Sequence, residues 1–183
     1  MKNKPIGIFD SGVGGLTVAQ AIKQILPGES LVYFGDTAHL PYGDKSAESI
    51  RYYSGKITEF LIDNDSKIVL VACNSASASA FDTLREEFRE RLILIDVIDP
   101  VVDYLVTRKF GKVGIIGTKR TISSGTYDQK LKIRSPGTEV ISMATPLLVP
   151  MIEEGFIFDD ISNAIIRTYL SNDMLSGIQA LVL

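Results

Sequence analysis

The stretch IVLVACNSASASAFDTLREEF, residues 68–88, changes periodicity halfway along, and that change decides the fold class. Ile68–Ala72 is a short run with no polar face, the pattern of a strand buried on both sides. Past it, Ala76, Ala80, Phe81, Leu84 and Phe88 recur at helical spacing and line one face, with acidic residues on the outer side. Asn74 or Ser75 is placed to cap that helix. A buried strand feeding an amphipathic helix is the repeating unit of a parallel sheet covered on both faces.

The same alternation extends in both directions. Strands are expected at Ile6–Phe9, Leu31–Phe34, Leu92–Ile95, Val113–Ile116, Glu139–Met143 and Ala180–Leu183. Helices are expected at Leu16–Leu26, Ser46–Ile62, Ser75–Arg91, Val101–Lys109, Ser123–Leu131, Leu147–Glu154 and Ile161–Leu170. The class is therefore α/β, doubly wound. A proline at Asp99-Pro100 marks the expected break, giving domains 1–98 and 99–183. Two echoes point to similar halves: IGIFDS (6–11) resembles VGIIGT (113–118) at an offset of 107, and IVLV (68–71) resembles ALVL (180–183) at an offset of 112.

Bulk properties remove several function classes. A net charge of −3 and a pI near 5.2 leave no basic stripe for a phosphate backbone, so nucleic acid is not an expected partner. One cysteine forms no internal disulfide, and with the single His39 it makes a poor metal set. No apolar run reaches the ~18–20 residues of a membrane span, and no signal-peptide pattern opens the sequence. A cytoplasmic protein is the expectation.

In open parallel sheets ligands bind beyond the carboxyl ends of the strands. There the sequence places Asp10 and Ser11; Gly35, Asp36 and Thr37; Cys73, Asn74 and Ser75; and Gly117 and Thr118, with Thr121 one turn later. These are small, polar residues ahead of helix N-termini, where an anion is favoured. A small ligand carrying a carboxylate or phosphate fits them. DSGVGG (10–15) is not a dinucleotide fingerprint, since GxGxxG requires glycine where Thr17 stands; its glycines also suit a tight turn and close helix packing. Pro41-Tyr42-Gly43 lies in the loop after the second strand, either with Tyr42 as a lid or as a turn around a packed aromatic. His39 reads as a loop residue rather than a catalyst.

Cys73 admits three readings: buried spacer, nucleophile, or acid/base. A free thiol has a pKa of about 8.5, so thiolate at neutral pH costs roughly 2 kcal/mol. A helix N-terminus lowers that cost, whereas a nearby Asp10 opposes the anion or takes its proton. Strand-end position, with Asp10, Asn74 and Ser75 in company, favours acid/base. No recognisable His–carboxylate pair supports a nucleophile.

Five ordered motifs, FDSGVGGLTV, GDTAHLPYG, ACNSASA, GIIGTKRT and PLLVPMIEEG, resemble the glutamate racemase family of the aspartate/glutamate racemase superfamily. The resemblance runs from Ile6 to the last residue. It implies two doubly wound α/β domains facing a cleft, the C-terminal part incomplete here, no cofactor and no metal. It also implies glutamate as substrate and D-glutamate supply for peptidoglycan. By resemblance the first catalytic cysteine is Cys73, with Asp10 beside it. The substrate contacts are Asp10, Ser11, Pro41, Tyr42, Gly43, Asn74, Ser75, Thr118, Thr121 and Glu153. Ser75 stands where the family usually has threonine, and Thr145-Pro146 where it usually has Cys-Pro.

The family's second cysteine follows a strand like IQALVL, in a Gly-Cys-Thr-His segment. The sequence ends at Leu183, where that segment is due, and the offset of 112 likewise places a counterpart of Cys73 two positions further on. A chain with one of two opposed acid/base groups is not expected to racemise alone. Apolar surface left bare by such an ending would favour a homodimer. A racemase for aspartate or another amino acid, or a non-catalytic carboxylate-binding fragment, are the alternative readings.

Overall fold

A computed structural model describes residues 4–156 and 160–183. They form two compact units that divide between Val97 and Ile98. The first runs β1 (Ile6–Asp10), α1 (Leu16–Ile25), β2 (Leu31–Gly35), a 3-10 turn at Tyr42–Asp44, α2 (Ala47–Asp63), β3 (Ile68–Val71), α3 (Asn74–Phe88) and β4 (Ile93–Asp96). Its strands are all parallel, in the order β2-β1-β3-β4, so their carboxyl ends share one edge.

Strand alternation sorts the core onto two faces. Phe9, Val69 and Val71 pack under α2 and α3 against Ile50, Ile57, Leu61, Ala80, Leu84 and Phe88. Ile6, Ile8 and Ala72 face α1, meeting Val18, Ala19 and Ile22. On β4, Leu94 joins the first cluster, whereas Ile93 and Ile95 point the other way and are 62% and 40% exposed. The expected two-sided covering holds for β1 to β3 and fails at β4: among the first unit's described residues the apolar cluster under α1 takes in side chains of β1, β2 and β3 but none of β4.

The start of α3 differs from expectation. The N-cap of α3 is Cys73 itself, extended at φ −80° and ψ 120° with no side-chain cap bond. Asn74 and Ser75 are already helical, because the helix begins one residue before the expected Ser75. By contrast, Ser46 caps α2, its hydroxyl oxygen accepting the Ser49 amide at 3.1 Å.

The second unit runs α4 (Ile98–Arg108), β5 (Lys112–Gly117), α5 (Lys119–Ser124), α6 (Thr126–Arg134), β6 (Glu139–Ala144), α7 (Leu148–Glu153), α8 (Asp160–Leu170), a 3-10 turn at Asp173–Leu175 and β7 (Ala180–Val182). Its parallel strands lie in the order β6-β5-β7. Pro100 sits inside the first turn of α4 rather than ahead of it, where its missing N–H breaks no intrahelical bond. The helix expected over 123–131 is split in two by Gly125, which adopts φ +65° between α5 and α6.

Strand register supports the two halves read from sequence. Ile6 pairs with Ile68 in the first sheet and Val113 pairs with Ala180 in the second. Setting Ile6 on Val113 uses the offset of 107, and the register then sets Ile68 on Ala180, which is the separate offset of 112. A bond at the strand ends recurs too: Asp36 donates its amide to the Asp10 carbonyl at 2.9 Å, and Thr145 donates to Gly117 at 2.8 Å.

Candidate functional site

In the first unit the carboxyl edge gathers the ends of β1, β2 and β3. The Asp10 side chain is nearly buried, and its Oδ2 accepts the Gly12 amide at 3.0 Å, which curls the chain back over the strand end. Tyr33 reaches the same turn, donating its hydroxyl to the Gly12 carbonyl at 2.9 Å. The turn is too crowded for side chains. A Cβ on Gly15 would lie 2.6 Å from the Asp10 Cβ and 3.1 Å from the Ala72 Cβ; one on Gly35 would lie 2.9 Å from the Gly12 carbonyl oxygen. In DSGVGG it is Gly15 that permits close approach between elements, and none of the motif's glycines has positive φ.

Cys73 lies at the centre of this edge, 5% exposed. Its thiol donates to Ser11 Oγ at 3.5 Å, and the backbone amides of Ser11 and Ala76 are close enough to favour a negative charge on its sulfur. Burial pushes the thiol up from an ordinary 9.0 to about 11, and the Asp10 charge pushes in the same direction. The Ser11 hydroxyl, which can donate once the sulfur is an anion, and the two amides pull the other way, because they favour the thiolate. Cys73 is therefore a thiol at rest, with the donors for an anion already in place.

Beside it, Tyr42 is 1% exposed and packs in the same core cluster. It is the packed aromatic of the two readings, not a lid. Its hydroxyl donates to Asp36 Oδ2 at 2.6 Å. Burial first, then the bond to Asp36, hold the phenol well above its usual range, so it stays a neutral donor. Pro41 precedes it at the start of the 3-10 turn, and Gly43 follows within the turn.

Asp36 Oδ1 meets His39 Nδ1 at 2.7 Å, and the His39 ring stacks on Tyr53 with centroids 3.9 Å apart. A His–carboxylate pair therefore exists, contrary to the sequence expectation. A turn that bonds the His39 amide to the Asp36 carbonyl brings i and i+3 together. The Cys73 thiol, however, donates to Ser11 and not to this imidazole. Asn74 and Ser75 occupy the first turn of α3, with Ser75 buried.

Of the expected residues in the second unit, Thr118 and Thr121 are brought together. Thr118 caps α5, its Oγ1 accepting the Thr121 amide at 3.1 Å, and the two hydroxyls lie 3.1 Å apart. Glu153 is half-buried at the last position of α7. Two buried acids at the first unit's strand ends were left out of the expected site. Asp36 follows β2 as Asp10 ends β1, and Asp96 ends β4; the strand-end rule that picked Asp10 reaches both.

Among the described residues no group of three or more His, Cys, Asp or Glu is arranged to hold a metal ion. No helix among them is long and apolar enough to cross a membrane.

Fold and site together define a class: a doubly wound α/β protein with a buried thiol at the carboxyl edge of its first sheet. No protein-family model matches the chain. It is 46% identical over 182 residues to glutamate racemase of Geobacter metallireducens, an alignment covering 98% of this chain and 66% of that protein. Glutamate racemase of Neisseria meningitidis is 38% identical, over 100% of this chain and 67% of its own. The crystal structure of Francisella tularensis glutamate racemase in complex with D-glutamate superposes with a TM-score of 0.90 at 39% identity, covering 100% of this chain and 68% of that one. The chain belongs to the glutamate racemase family, and it spans about two thirds of the length of these relatives.

Proposed function

We propose that the protein interconverts L- and D-glutamate by a two-base route without a cofactor, with Cys73 as one of the two acid/base groups. The observation that carries this reading is the Cys73 sulfur, buried beside Asp10 and met by the Ser11 hydroxyl and two backbone amides. The relative crystallised with D-glutamate supports the choice of substrate.

Racemisation removes the Cα proton from one face and returns a proton to the other. Cys73 as thiolate takes the proton, becoming a thiol; in the opposite direction its S–H supplies one, leaving the thiolate. Asp10 favours the protonated thiol and is the acceptor to which Cys73 first gives its proton. Negative charge that develops on the substrate carboxylate is met by backbone amides and hydroxyls, for which Ser11, Asn74 and Ser75 are placed. Pro41, Tyr42 and Gly43 border the substrate on the same side. Thr118, Thr121 and Glu153 serve the second unit's half. The second acid/base group is a counterpart of Cys73, in the part of the relatives' length that these residues do not span. Supply of D-glutamate for peptidoglycan in the cytoplasm is the matching role, and homodimerisation fits the exposed Ile93 and Ile95.

The test is polarimetry with L- and D-glutamate on protein of the family's full length, with and without Cys73→Ala. Racemisation by the parent and none by the variant is expected. A variant at the full rate overturns the role of Cys73, and a parent inert on glutamate but active on aspartate overturns the substrate.

A further inference from the structure

We propose that His39 is a positioning residue: acting through Asp36, it holds the Tyr42–Gly43 segment in place beside the thiol. The inference rests on the reading of that segment as a substrate contact.

Asp36 is the joint. Its carboxylate is nearly buried, and each oxygen has a partner, Tyr42 O–H at 2.6 Å on Oδ2 and His39 Nδ1 at 2.7 Å on Oδ1. Its own amide is fixed to the Asp10 carbonyl at the end of β1. The site's acid, the 3-10 turn and the imidazole therefore form one connected unit. A buried carboxylate is costly unless its oxygens are met, and a carboxylate with two partners on opposite oxygens has one orientation. With one partner it can rotate, and the phenol it anchors moves with it.

His39 is suited to hold that orientation. Its side chain is 41% exposed, so it closes the solvent side of Asp36. The stack on Tyr53, at 20° between ring planes, fixes the plane in which Nδ1 meets the carboxylate. Beyond Tyr42 the turn is closed by long backbone bonds, Asp44 to Pro41 at 3.4 Å and Lys45 to Tyr42 at 3.2 Å. The side-chain anchor adds a directional restraint to the packing that already buries Tyr42.

The experiment compares the parent protein with His39→Leu, which removes the donor, and His39→Asn, whose amide N–H can take the place of Nδ1. Two readouts are used: hydrogen exchange of the Asp44 and Lys45 amides, and the separate values of KM and kcat for glutamate. His39→Leu is expected to exchange at least about tenfold faster at both amides and to raise KM about tenfold, with kcat within about twofold, as befits loss of one charge-assisted bond. His39→Asn should restore most of both. If His39→Leu does not fold, His39→Ala replaces it, removing the donor without adding an apolar side chain at this partly exposed position, and the same changes are expected. Exchange unchanged in these variants overturns the proposal, as does a loss confined to kcat or one that Asn does not rescue. If the parent does not turn over glutamate, it is the proposed function that fails, and the exchange rates alone then decide the role of His39.

Discussion

The thiol of Cys73 donates to the Ser11 hydroxyl oxygen across 3.5 Å, joining the ends of two adjacent strands, β3 and β1. Ser11 and Asp10 are neighbours in sequence with opposite effects on that sulfur. The hydroxyl stabilises the anion, and the carboxylate opposes it. Ser11→Ala should therefore raise the thiol further above about 11, whereas Asp10→Asn should lower it. Ultraviolet thiolate absorbance against pH measures both. Shifts of the same sign in the two variants would refute this account of the site.

The raised thiol also ties stability to pH. Its ordinary value is 9.0 and its folded value about 11, so between these the folded state holds a proton that the unfolded chain has lost. The stabilisation is full below pH 9 and declines as pH rises to about 11, by about 2–3 kcal/mol in all. Tyr42 acts in the same direction above its ordinary 10.0. Chemical denaturation from pH 8 to pH 11 should show this decline, and Cys73→Ala should flatten its first part. An unchanged slope in the variant would place the effect elsewhere.

Gly125 interrupts what reads as one helix, and its φ of +65° is a conformation that costs an L-residue roughly 1–2 kcal/mol. Gly125→Ala should lose about that much, while Gly28→Ala, with nothing within 4 Å of the added carbon, should stay within about 0.5 kcal/mol. Equal losses in thermal melts would show that backbone conformation is not the cause at Gly125.

The sheet was legible because its strands carry the simplest signal, short runs with no polar face. All seven expected strands exist, with ends shifted by a residue or two. The two sequence offsets pointed to similar halves, and the parallel pairings of β1 with β3 and of β5 with β7 relate them. Interactions between side chains were less legible. Nothing in the spacing of Asp36, His39, Tyr42 and Tyr53 announces a cluster, because a turn, a 3-10 segment and a helix face must all form before the four meet. The break at Gly125 was hidden for a related reason: its flanks, Thr121-Ile122 and Tyr127-Asp128, continue a plausible helical pattern, and only the backbone shows the left-handed residue between them. Cys73 was placed correctly at a strand end, but the sequence gives the thiol's setting only in part. Two of the groups that favour its anion are backbone amides, which no side-chain pattern reveals.

Gly15 offers the sharpest link between packing and chemistry. An added Cβ there would sit 2.6 Å from the Asp10 Cβ, 3.0 Å from the Tyr33 hydroxyl and 3.1 Å from the Ala72 Cβ. None of these can yield easily: Asp10 and Ala72 are strand-end residues, and Tyr33 is bonded to Gly12. Gly15→Ala should therefore destabilise the protein by about 1–3 kcal/mol, the usual range for overpacking. It should also displace Asp10 from the thiol and so lower the Cys73 titration, as Asp10→Asn does, although no charge has been removed. Crowding at an inert position would cause the first effect without the second. Denaturation and thiolate absorbance measured on the same variant separate the two, and a destabilised protein with an unmoved thiol would show that Gly15 supports the fold but not the placement of Asp10.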